Sequence, residues 1–170
     1  MREFERDEDC IERSAHEHLR LMLDTNVVID FLNEREPFYQ DARLLMMCIK
    51  LGEFDAYLTG SQFTDLIYVL SDGGRKGLLE EALRQLRGLR TFIDVCTIDG
   101  NNIDQMLDTT WEDPEDYLIY DAAKSLNASA IITRDQKGFE HSDIKTLDCN
   151  RFFKWIQEEY EIDYEEMKDF

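Results

Sequence analysis

The sequence predicts an α/β fold in which a mostly parallel sheet is covered by helices. Short apolar runs bounded by turn residues alternate with longer segments of helical periodicity, and this alternation continues along most of the chain. Strands that alternate with helices in this way usually lie parallel. The chain has 170 residues, 43% of them apolar, which is the size of a single domain with one sizeable core.

Five short segments are predicted to be strands because they are apolar, and the third also alternates and is rich in β-branched residues. The first of them stops on a carboxylate, in the run LMLDTNVVIDFL. The predicted strands are Leu19–Asp24, Ala56–Thr59, Thr91–Ile98, Ala130–Thr133 and Ile144–Leu147.

Seven segments are predicted to be helices. Gly52 stands just past the end of the second helix, and Ser61 is a plausible N-cap of the third. Asp113 and Pro114 have the pattern of an N-cap followed by a first helical residue. The predicted helices are Val27–Asn33, Phe38–Lys50, Phe63–Leu70, Lys76–Arg90, Ile103–Thr109, Pro114–Leu126 and Arg151–Glu159.

The charge distribution predicts one domain between two charged ends. Residues 1–20 carry seven acids and four bases, and residues 157–170 carry seven acids and one base. We therefore predict a charged N-terminal extension over 1–20, a domain over 21–156 and an acidic C-terminal tail over 157–170. The tail is interpreted either as a solvated end or as a regulatory arm that meets a basic partner or repels RNA.

Composition excludes several classes of function. A formal charge of −19 argues against non-specific binding to nucleic acid, since the basic residues cluster only at Arg84, Arg87 and Arg90 with nearby Arg75 and Lys76. No apolar run approaches the ~20 residues that span a bilayer, and the charged first residues are no secretory signal. The four cysteines form no C-x-x-C pair, so reduced thiols are expected. These features predict a cytoplasmic protein without membrane contact.

Four aspartates are predicted to meet at one edge of the sheet. Ligands of open parallel sheets bind outside the carboxyl ends of the strands. Asp24 and Asp135 each follow a predicted strand, Asp65 lies in the helix after the second strand, and Asp116 lies in the first turn of the helix that Pro114 opens. Other acids, namely Asp30, Asp113, Glu115 and Asp121, are predicted to be solvated or capping groups.

Clustered carboxylates favour a hard divalent cation. Like charges a few ångströms apart raise one another's pKa, and a cation relieves that repulsion. Carboxylate oxygens and water are the ligands that Mg²⁺ and Mn²⁺ prefer. Because two such ions can clamp the attacking and leaving oxygens of an in-line phosphodiester displacement, hydrolysis of a nucleic acid is the predicted chemistry.

Four segments together resemble a PIN-domain protein of the VapC-like ribonuclease-toxin type. They are LDTNVVIDFL, AYLTGSQFTDLIYVL, DPEDYLIYDAA and AIITRDQKGFEHSDI, and the resemblance covers roughly residues 21–155. The four acids occur in the family's order, at spacings of 41, 51 and 19 residues. The chain departs from the pattern in its last segment, where ITRD is followed by Gly138 and Phe139 instead of Asp-Phe.

The resemblance implies a three-layer α/β/α sandwich and a metal-dependent endoribonuclease, the toxin of a toxin-antitoxin pair. Asp24, Asp65, Asp116 and Asp135 would be the catalytic acids and the ligands of Mg²⁺ or Mn²⁺. Thr25, Asn26 and Ser61 would position ligands or phosphate, and Arg134 and Lys137 would guide the RNA backbone. A small antitoxin protein and a second copy of the chain, in a homodimer, are the expected partners.

Two other functions remain open from the sequence. The negative charge suits a PIN-like module that has lost catalysis and binds protein. A phosphotransfer domain is the other alternative, although Asp24 lacks the second Asp of a D-x-D pair. Each acid also has a structural explanation: Asp24 and Asp135 as caps, Asp65 as a solvated residue and Asp116 as a capping-box acid. Trp111 and Trp155 are predicted to be packing residues, and His141 to be exposed.

Overall fold

The fold is a five-stranded parallel sheet with helices on both faces. A computed structural model describes residues 19–164 and residue 167. The strands, in chain order, are β1 (Arg20–Leu23), β2 (Asp55–Thr59), β3 (Asp94–Cys96), β4 (Ala130–Ile132) and β5 (Thr146–Leu147).

The strands lie in the order β3-β2-β1-β4-β5, and every neighbouring pair is parallel. Leu21 pairs with Ala56 on one side and with Ala130 on the other, so β1 is the central strand. The predicted parallel sheet is confirmed. The chain winds outward from β1 in one direction to β3 and in the other to β5, which places the topological switch between β1 and β4.

In the described part of the chain, seven helices connect and cover the strands, and each overlaps a predicted helix. Their bounds are α1 (Thr25–Leu32), α2 (Tyr39–Leu51), α3 (Gly60–Leu70), α4 (Lys76–Leu89), α5 (Gly100–Leu107), α6 (Pro114–Ser125) and α7 (Cys149–Tyr160).

Two hydrophobic cores lie on the two faces of the sheet. Leu21 and Leu23 of β1 pack into one core with α1, α2, α3, α4 and α7, while Met22 packs into the other with α6. Successive side chains of a strand point to opposite faces, so a run that is apolar throughout belongs in a sheet covered on both sides. The α/β/α arrangement of three layers is confirmed.

Three predicted boundaries are wrong. The third strand has only three residues, because Thr91, Phe92 and Ile93 still donate backbone hydrogen bonds to Gly88 and Leu89 at the end of α4. Ser61 is not the N-cap of α3: Thr59 takes that position and forms a capping box with Gln62. The α5 helix begins at Gly100, because the Asp99 side chain accepts from the amides of Asn101 and Asn102.

The predicted domain boundary at residue 156 falls inside α7, which continues to Tyr160. Beyond it Tyr164 is buried and packs on Phe54 and Phe153, with ring centroids 6.0 Å and 5.5 Å away. The first part of the predicted acidic tail therefore belongs to the packed domain. Residues 1–18, 165, 166 and 168–170 lie outside the described residues, as do the predictions made for them.

Candidate active site

The candidate site lies where β1 and β4 end, at the topological switch point of the sheet. Asp24 follows β1 directly, and its backbone N–H donates to the carbonyl of Ile132 in β4 at 2.9 Å. Thr133, Arg134 and Asp135 follow β4. Open parallel sheets bind their ligands at this place because the neighbouring loops diverge and leave a crevice.

Asp24 is held by two polar side chains in a nearly dry position. Only 7% of it is exposed. The Thr133 hydroxyl donates to Asp24 Oδ2 at 2.6 Å, and the Asn26 amide donates to the same oxygen at 2.5 Å. Burial raises the pKa of Asp24, and the hydrogen bond from Thr133 offsets only part of that increase. Asp24 also occupies the N-cap position of α1, but its side chain makes no capping hydrogen bond.

Thr133 hydrogen-bonds both to the residues that follow β1 and to the loop that follows β4. Its hydroxyl oxygen accepts from Asn26 Nδ2 at 3.0 Å and from the backbone N–H of Asp135 at 2.9 Å. Asn26 in turn accepts from the backbone N–H of Arg134 at 3.2 Å. The loop after β4 is therefore fixed to the first turn of α1, which sets the position of Asp135 relative to Asp24.

Asp116 and Asp135 converge on Gly138. A Cβ atom at residue 138 would lie 2.2 Å from Asp116 Oδ2 and 3.5 Å from Asp135 Oδ2. Any side chain at residue 138 would collide with the Asp116 carboxylate. The Gly138 backbone N–H donates to Asp135 Oδ1 at 3.1 Å. Glycine at this position thus lets two carboxylates approach the same turn.

Asp116 is a carboxyl group surrounded by other acidic side chains. Burial raises the pKa of Asp116 to about 7, together with the charges of Asp113, Asp24, Asp135 and Glu115. At neutral pH about half of this group is therefore protonated when no cation is bound. A cation bound nearby would favour the ionised form of this carboxyl group and so displace its proton.

Asp65 reaches the site through Glu115. Burial, followed by the charge of Asp65 and a hydrogen bond with it, raises the pKa of Glu115, and Asp24 adds to this. Glu115 is exposed in the first turn of α6, as predicted for a solvated residue, and it also lies close to Asp65 and the other acids. Asp113 does cap α6, where its Oδ1 accepts from the Glu115 amide at 2.8 Å.

Gln62 ties the start of α3 to the end of β1. It is fully buried, and its amide donates to the Leu23 carbonyl at 2.9 Å and to the Thr25 hydroxyl at 3.3 Å. The Ser61 hydroxyl lies 2.9 Å from that of Thr59. Thr25 and Ser61 are thus part of the polar framework behind the acids.

Arg134 is engaged in a buried ion pair. Its Nε lies 2.6 Å from Oδ2 of Asp30, whose side chain is only 2% exposed. The guanidinium also covers the Phe38 ring at 4.5 Å. The prediction that Asp30 is solvated is wrong, and the Arg134 guanidinium is not a free cation on the rim as the sequence suggested. The pair instead anchors the loop after β4 onto α1.

We expect Arg134→Met to destabilise the protein and Asp30→Asn to reverse most of that loss. Removing the arginine leaves the Asp30 carboxylate buried. Among the described ion pairs, its remaining cation is Arg35, whose guanidinium nitrogen lies 3.9 Å from Asp30 Oδ1. Breaking a buried ion pair by removing one partner costs about 3–5 kcal/mol. In a domain of this size that corresponds to a decrease in Tm of roughly 6–20 °C. Thermal unfolding of Arg134→Met and of Asp30→Asn/Arg134→Met measures both effects.

Lys137→Met is the matched control, because it removes one exposed cation from the same loop. We expect its Tm to stay within about 1 °C of the wild type. An unchanged Tm in Arg134→Met, with RNA affinity lost and not restored by Asp30→Asn, would instead return Arg134 to a role in binding RNA.

Lys137 lies on the rim of a cavity of about 200 Å³ beside the acids. Asp116, Asp135 and Gly138 form one wall, and Trp111 and His141 form part of another. Lys137 is therefore the predicted cation that remains next to the site.

The site suits a hard divalent cation in its chemistry. All its candidate donors are carboxylate oxygens, and burial together with neighbouring acids raises the pKa of Asp24, Glu115 and Asp116. Within residues 19–164 and 167, no three His, Cys, Asp or Glu side chains already form a set that could hold a metal ion. Mg²⁺ does not need such a cage, because it commonly takes one or two carboxylates and completes its shell with water and phosphate.

The sequence predictions do not assign four residues to the site. Thr59 and Gln62 carry the T-x-x-Q signature of a capping box, which was available from the sequence. Glu115 is adjacent to Asp116, but its contact with Asp65 crosses between two helices. The role of Thr133 depends on the pairing of β1 with β4, which no local pattern shows.

The chain belongs to the PIN-domain family, since the family model described as PIN domain matches residues 20–137. It is similar to Ribonuclease VapC1 from Aquifex aeolicus (strain VF5), with 23% identity over 138 residues that cover 78% of this chain and 92% of the relative. The predicted resemblance to VapC-like PIN proteins is confirmed.

Solved structures show the same fold. VapBC2 from Rickettsia felis bound to a promoter DNA fragment matches with a TM-score of 0.57 and 17% identity, covering 76% of this chain and 98% of the matched chain. DNA-bound VapBC from Salmonella typhimurium matches with a TM-score of 0.57 and 20% identity, covering 77% and 98%. In the described part of the chain, no helix has the length and apolar character needed to cross a membrane.

Proposed function

We propose that this protein is a divalent-metal-dependent endoribonuclease of the VapC type and the toxin of a toxin-antitoxin pair. One observation carries the proposal: at the switch point of the sheet, the Asp116 and Asp135 carboxylates converge on Gly138, and Thr133 contacts both the Asp24 carboxylate and the Asp135 amide. The similarity to a VapC ribonuclease over 92% of that relative's length supports it. The reaction is hydrolysis of an RNA phosphodiester, leaving a 5′-phosphate and a 3′-hydroxyl.

The carboxylates Asp24, Asp65, Asp116 and Asp135 would hold one or two Mg²⁺ or Mn²⁺ ions. When bound, such an ion stabilises negative charge on the phosphate and activates water for in-line attack. The Asp116 carboxyl releases its proton when positive charge replaces it, because its pKa was raised by burial and by neighbouring acids. At the edge of the cluster, burial and then the charge of Asp65 raise the pKa of Glu115.

The polar framework orients these acids. Thr133 and Asn26 fix the Asp24 carboxylate, while Gly138 holds Asp135 through its backbone N–H. Ser61 and Thr25 would place ligands or substrate phosphate through the Thr59–Gln62 cap. Preorganisation of this kind matters because a displacement of about 1 Å in a catalytic group can reduce the rate by roughly 10²-fold.

RNA would reach the site mainly through the bound cation. The chain carries a formal charge of −19, and Arg134 is committed to Asp30. Lys137 is the basic side chain that lines the cavity beside Asp116 and Asp135. RNA affinity should therefore follow the divalent ion, with little of the steep monovalent-salt dependence that phosphate neutralisation produces. An RNA-cleaving toxin acts where its RNA is, so the predicted cytoplasmic location is part of this proposal.

An apolar groove offers a surface for the antitoxin. It has a volume of about 470 Å³ and lies between α1, α2 and the end of α4. Phe31, Met46, Met47 and Phe92 line it, and methionines adapt readily to a partner helix. The similar VapBC structures support a protein partner of this kind. A homodimer of the toxin belongs to the same proposal.

Removal of divalent metal tests the proposal against the alternative of an inactive binding module. The purified protein is incubated with single-stranded RNA in EDTA and then with Mg²⁺ or Mn²⁺ restored, and the product ends are mapped. We expect cleavage to rise by at least about 100-fold with metal, leaving 5′-phosphates. Failure to cleave diverse RNAs with either ion, in a folded protein that binds a small partner, would favour the binding module.

A further inference from the structure

The cavity beside the candidate acids also has an aromatic wall, formed by Trp111 and His141. The cavity of about 200 Å³ shares Asp116 and Asp135 with the proposed metal site. Its other lining residues include Trp111, Glu112 and His141. Pockets for drug-sized ligands are larger, at about 300–1,000 Å³. This cavity is therefore of the size for a single flat ring system next to the reacting phosphate.

The aromatic part of the wall is rigid. Trp111 stacks on Tyr120 with ring centroids 5.0 Å apart and an interplanar angle of 28°. Phe139 meets it edge-on at 6.0 Å, and His141 does so at 6.2 Å. The predicted packing role of Trp111 accounts for these contacts but not for its place in the cavity lining. A ring fixed by its neighbours provides a stacking surface with little loss of side-chain entropy.

We propose that this cavity binds one unpaired RNA base, preferably guanine, beside the scissile phosphate, with Trp111 as the stacking surface, His141 at the edge of that surface and Glu112 as the reader of the base edge. The proposal rests on the proposed nuclease function and names its substrate class. Single-stranded RNA is commonly recognised by bases that leave the stack and pack on aromatic side chains. Lys137 on the same rim would meet the adjoining phosphate.

The acidic lining favours guanine for a chemical reason. Glu112 is exposed at the cavity, and an ionised carboxylate only accepts hydrogen bonds. Guanine presents two adjacent donors, N1–H and the 2-amino group, which match the two oxygens of one carboxylate. Uracil presents one N–H between two carbonyl oxygens, and those oxygens would face the negative charge. Asp113 is less suited to this role, since it caps α6.

Fluorescence of Trp111 tests the proposal without depending on cleavage. The chain has two tryptophans, and Trp155 packs against α7 residues and Lys145 on the other face of the sheet. In the protein Trp155→Phe, Trp111 is the sole tryptophan, and Asp24 is retained so that the divalent ion can support RNA binding. This protein is titrated with 2′-O-methyl RNA pentamers of sequence UUGUU, UUIUU and UUUUU, where I is inosine, which lacks the 2-amino group.

We expect UUGUU to quench Trp111 with a Kd at least about tenfold lower than that of UUUUU, with UUIUU between them. Adding Glu112→Gln should reduce the preference to less than about threefold without removing the quenching. The control Trp111→Phe, which retains Trp155 and Asp24, should show no quenching. Circular dichroism confirms that each variant is folded.

Two outcomes overturn the proposal: no saturable quenching of Trp111, or equal Kd values for UUGUU and UUUUU. Either result leaves the nuclease function standing if the wild type cleaves RNA with metal. Guanine-selective quenching in a wild-type protein that cleaves no RNA would instead retain the base site and remove the nuclease proposal.

Discussion

Asp24→Asn is expected to reduce RNA cleavage by at least about 10³-fold while leaving the protein as stable as the wild type or more stable. The substitution removes the charge of the acid that is held by both Thr133 and Asn26 and would hold the cation. A bound metal ion stabilises the charge of the transition state by several kcal/mol. Each 1.36 kcal/mol of that stabilisation that is lost lowers the rate tenfold.

The fold should tolerate this change because asparagine has nearly the same shape. Its carbonyl oxygen can accept from Thr133 and Asn26 as Asp24 Oδ2 does. Burial raises the pKa of Asp24, so the ionised carboxylate is unfavourable where it lies, and its removal relieves that penalty. Cleavage rates and thermal unfolding of the same preparation measure the two effects.

Asp55→Asn provides the matched control. Asp55 is the first residue of β2 and is exposed at the opposite end of the strands, so the substitution removes one charge away from the site. We expect cleavage to stay within about twofold of the wild type. Cleavage by Asp24→Asn within tenfold of the wild type would refute the role assigned to this acid.

Asp116→Asn is expected to become progressively more stable than the wild type as pH rises from about 4 to about 7. An aspartate whose pKa in the folded protein is about 7 binds its proton more tightly than in the unfolded chain, where the value is 3.8. The folded state is therefore favoured at low pH and loses this advantage as pH passes through that window. Above the folded pKa both states are ionised, and the difference becomes constant.

The effect should be modest because Asp116 is only half-buried and solvent screens part of the repulsion. We expect the Tm advantage of Asp116→Asn to increase by about 2–4 °C between pH 5.5 and pH 8 in EDTA, which corresponds to roughly 1 kcal/mol. Parallel thermal melts of both proteins at several pH values measure it. A difference in Tm that does not change with pH would show that the Asp116 pKa is not raised.

The fold could be predicted from the sequence because its signals are local. Asp113 and Pro114 specify the start of α6 through the cap and the restricted proline, and the structure confirms both. Apolar strands between amphipathic helices define the parallel sheet. The predicted third strand, Thr91–Ile98, is too long because an alternating pattern does not show where pairing with β2 begins. In the structure this pairing begins at Asp94.

The site could be predicted only in part. The positions of Asp24 and Asp135 after β1 and β4 follow from the general behaviour of parallel sheets. Whether an acid in a helix is solvated depends on what packs over it, and that partner is distant in sequence. Asp30 is buried because Arg134 reaches it from the loop after β4. In the sequence, Gly138 is only a departure from the family pattern. The structure explains why glycine stands there, because a Cβ atom would lie 2.2 Å from Asp116 Oδ2.

A calorimetric titration of Mn²⁺ tests the central claim, that these carboxylates form a cation site. Wild type is compared with Asp24→Asn/Asp116→Asn and with the control Asp55→Asn/Asp94→Asn, which removes two exposed charges from the starts of β2 and β3. We predict saturable binding in the wild type and the control, with a Tm increase of roughly 5–10 °C at saturation, and neither effect in the Asp24/Asp116 variant. Equal binding by all three proteins, or binding by none, would contradict the account.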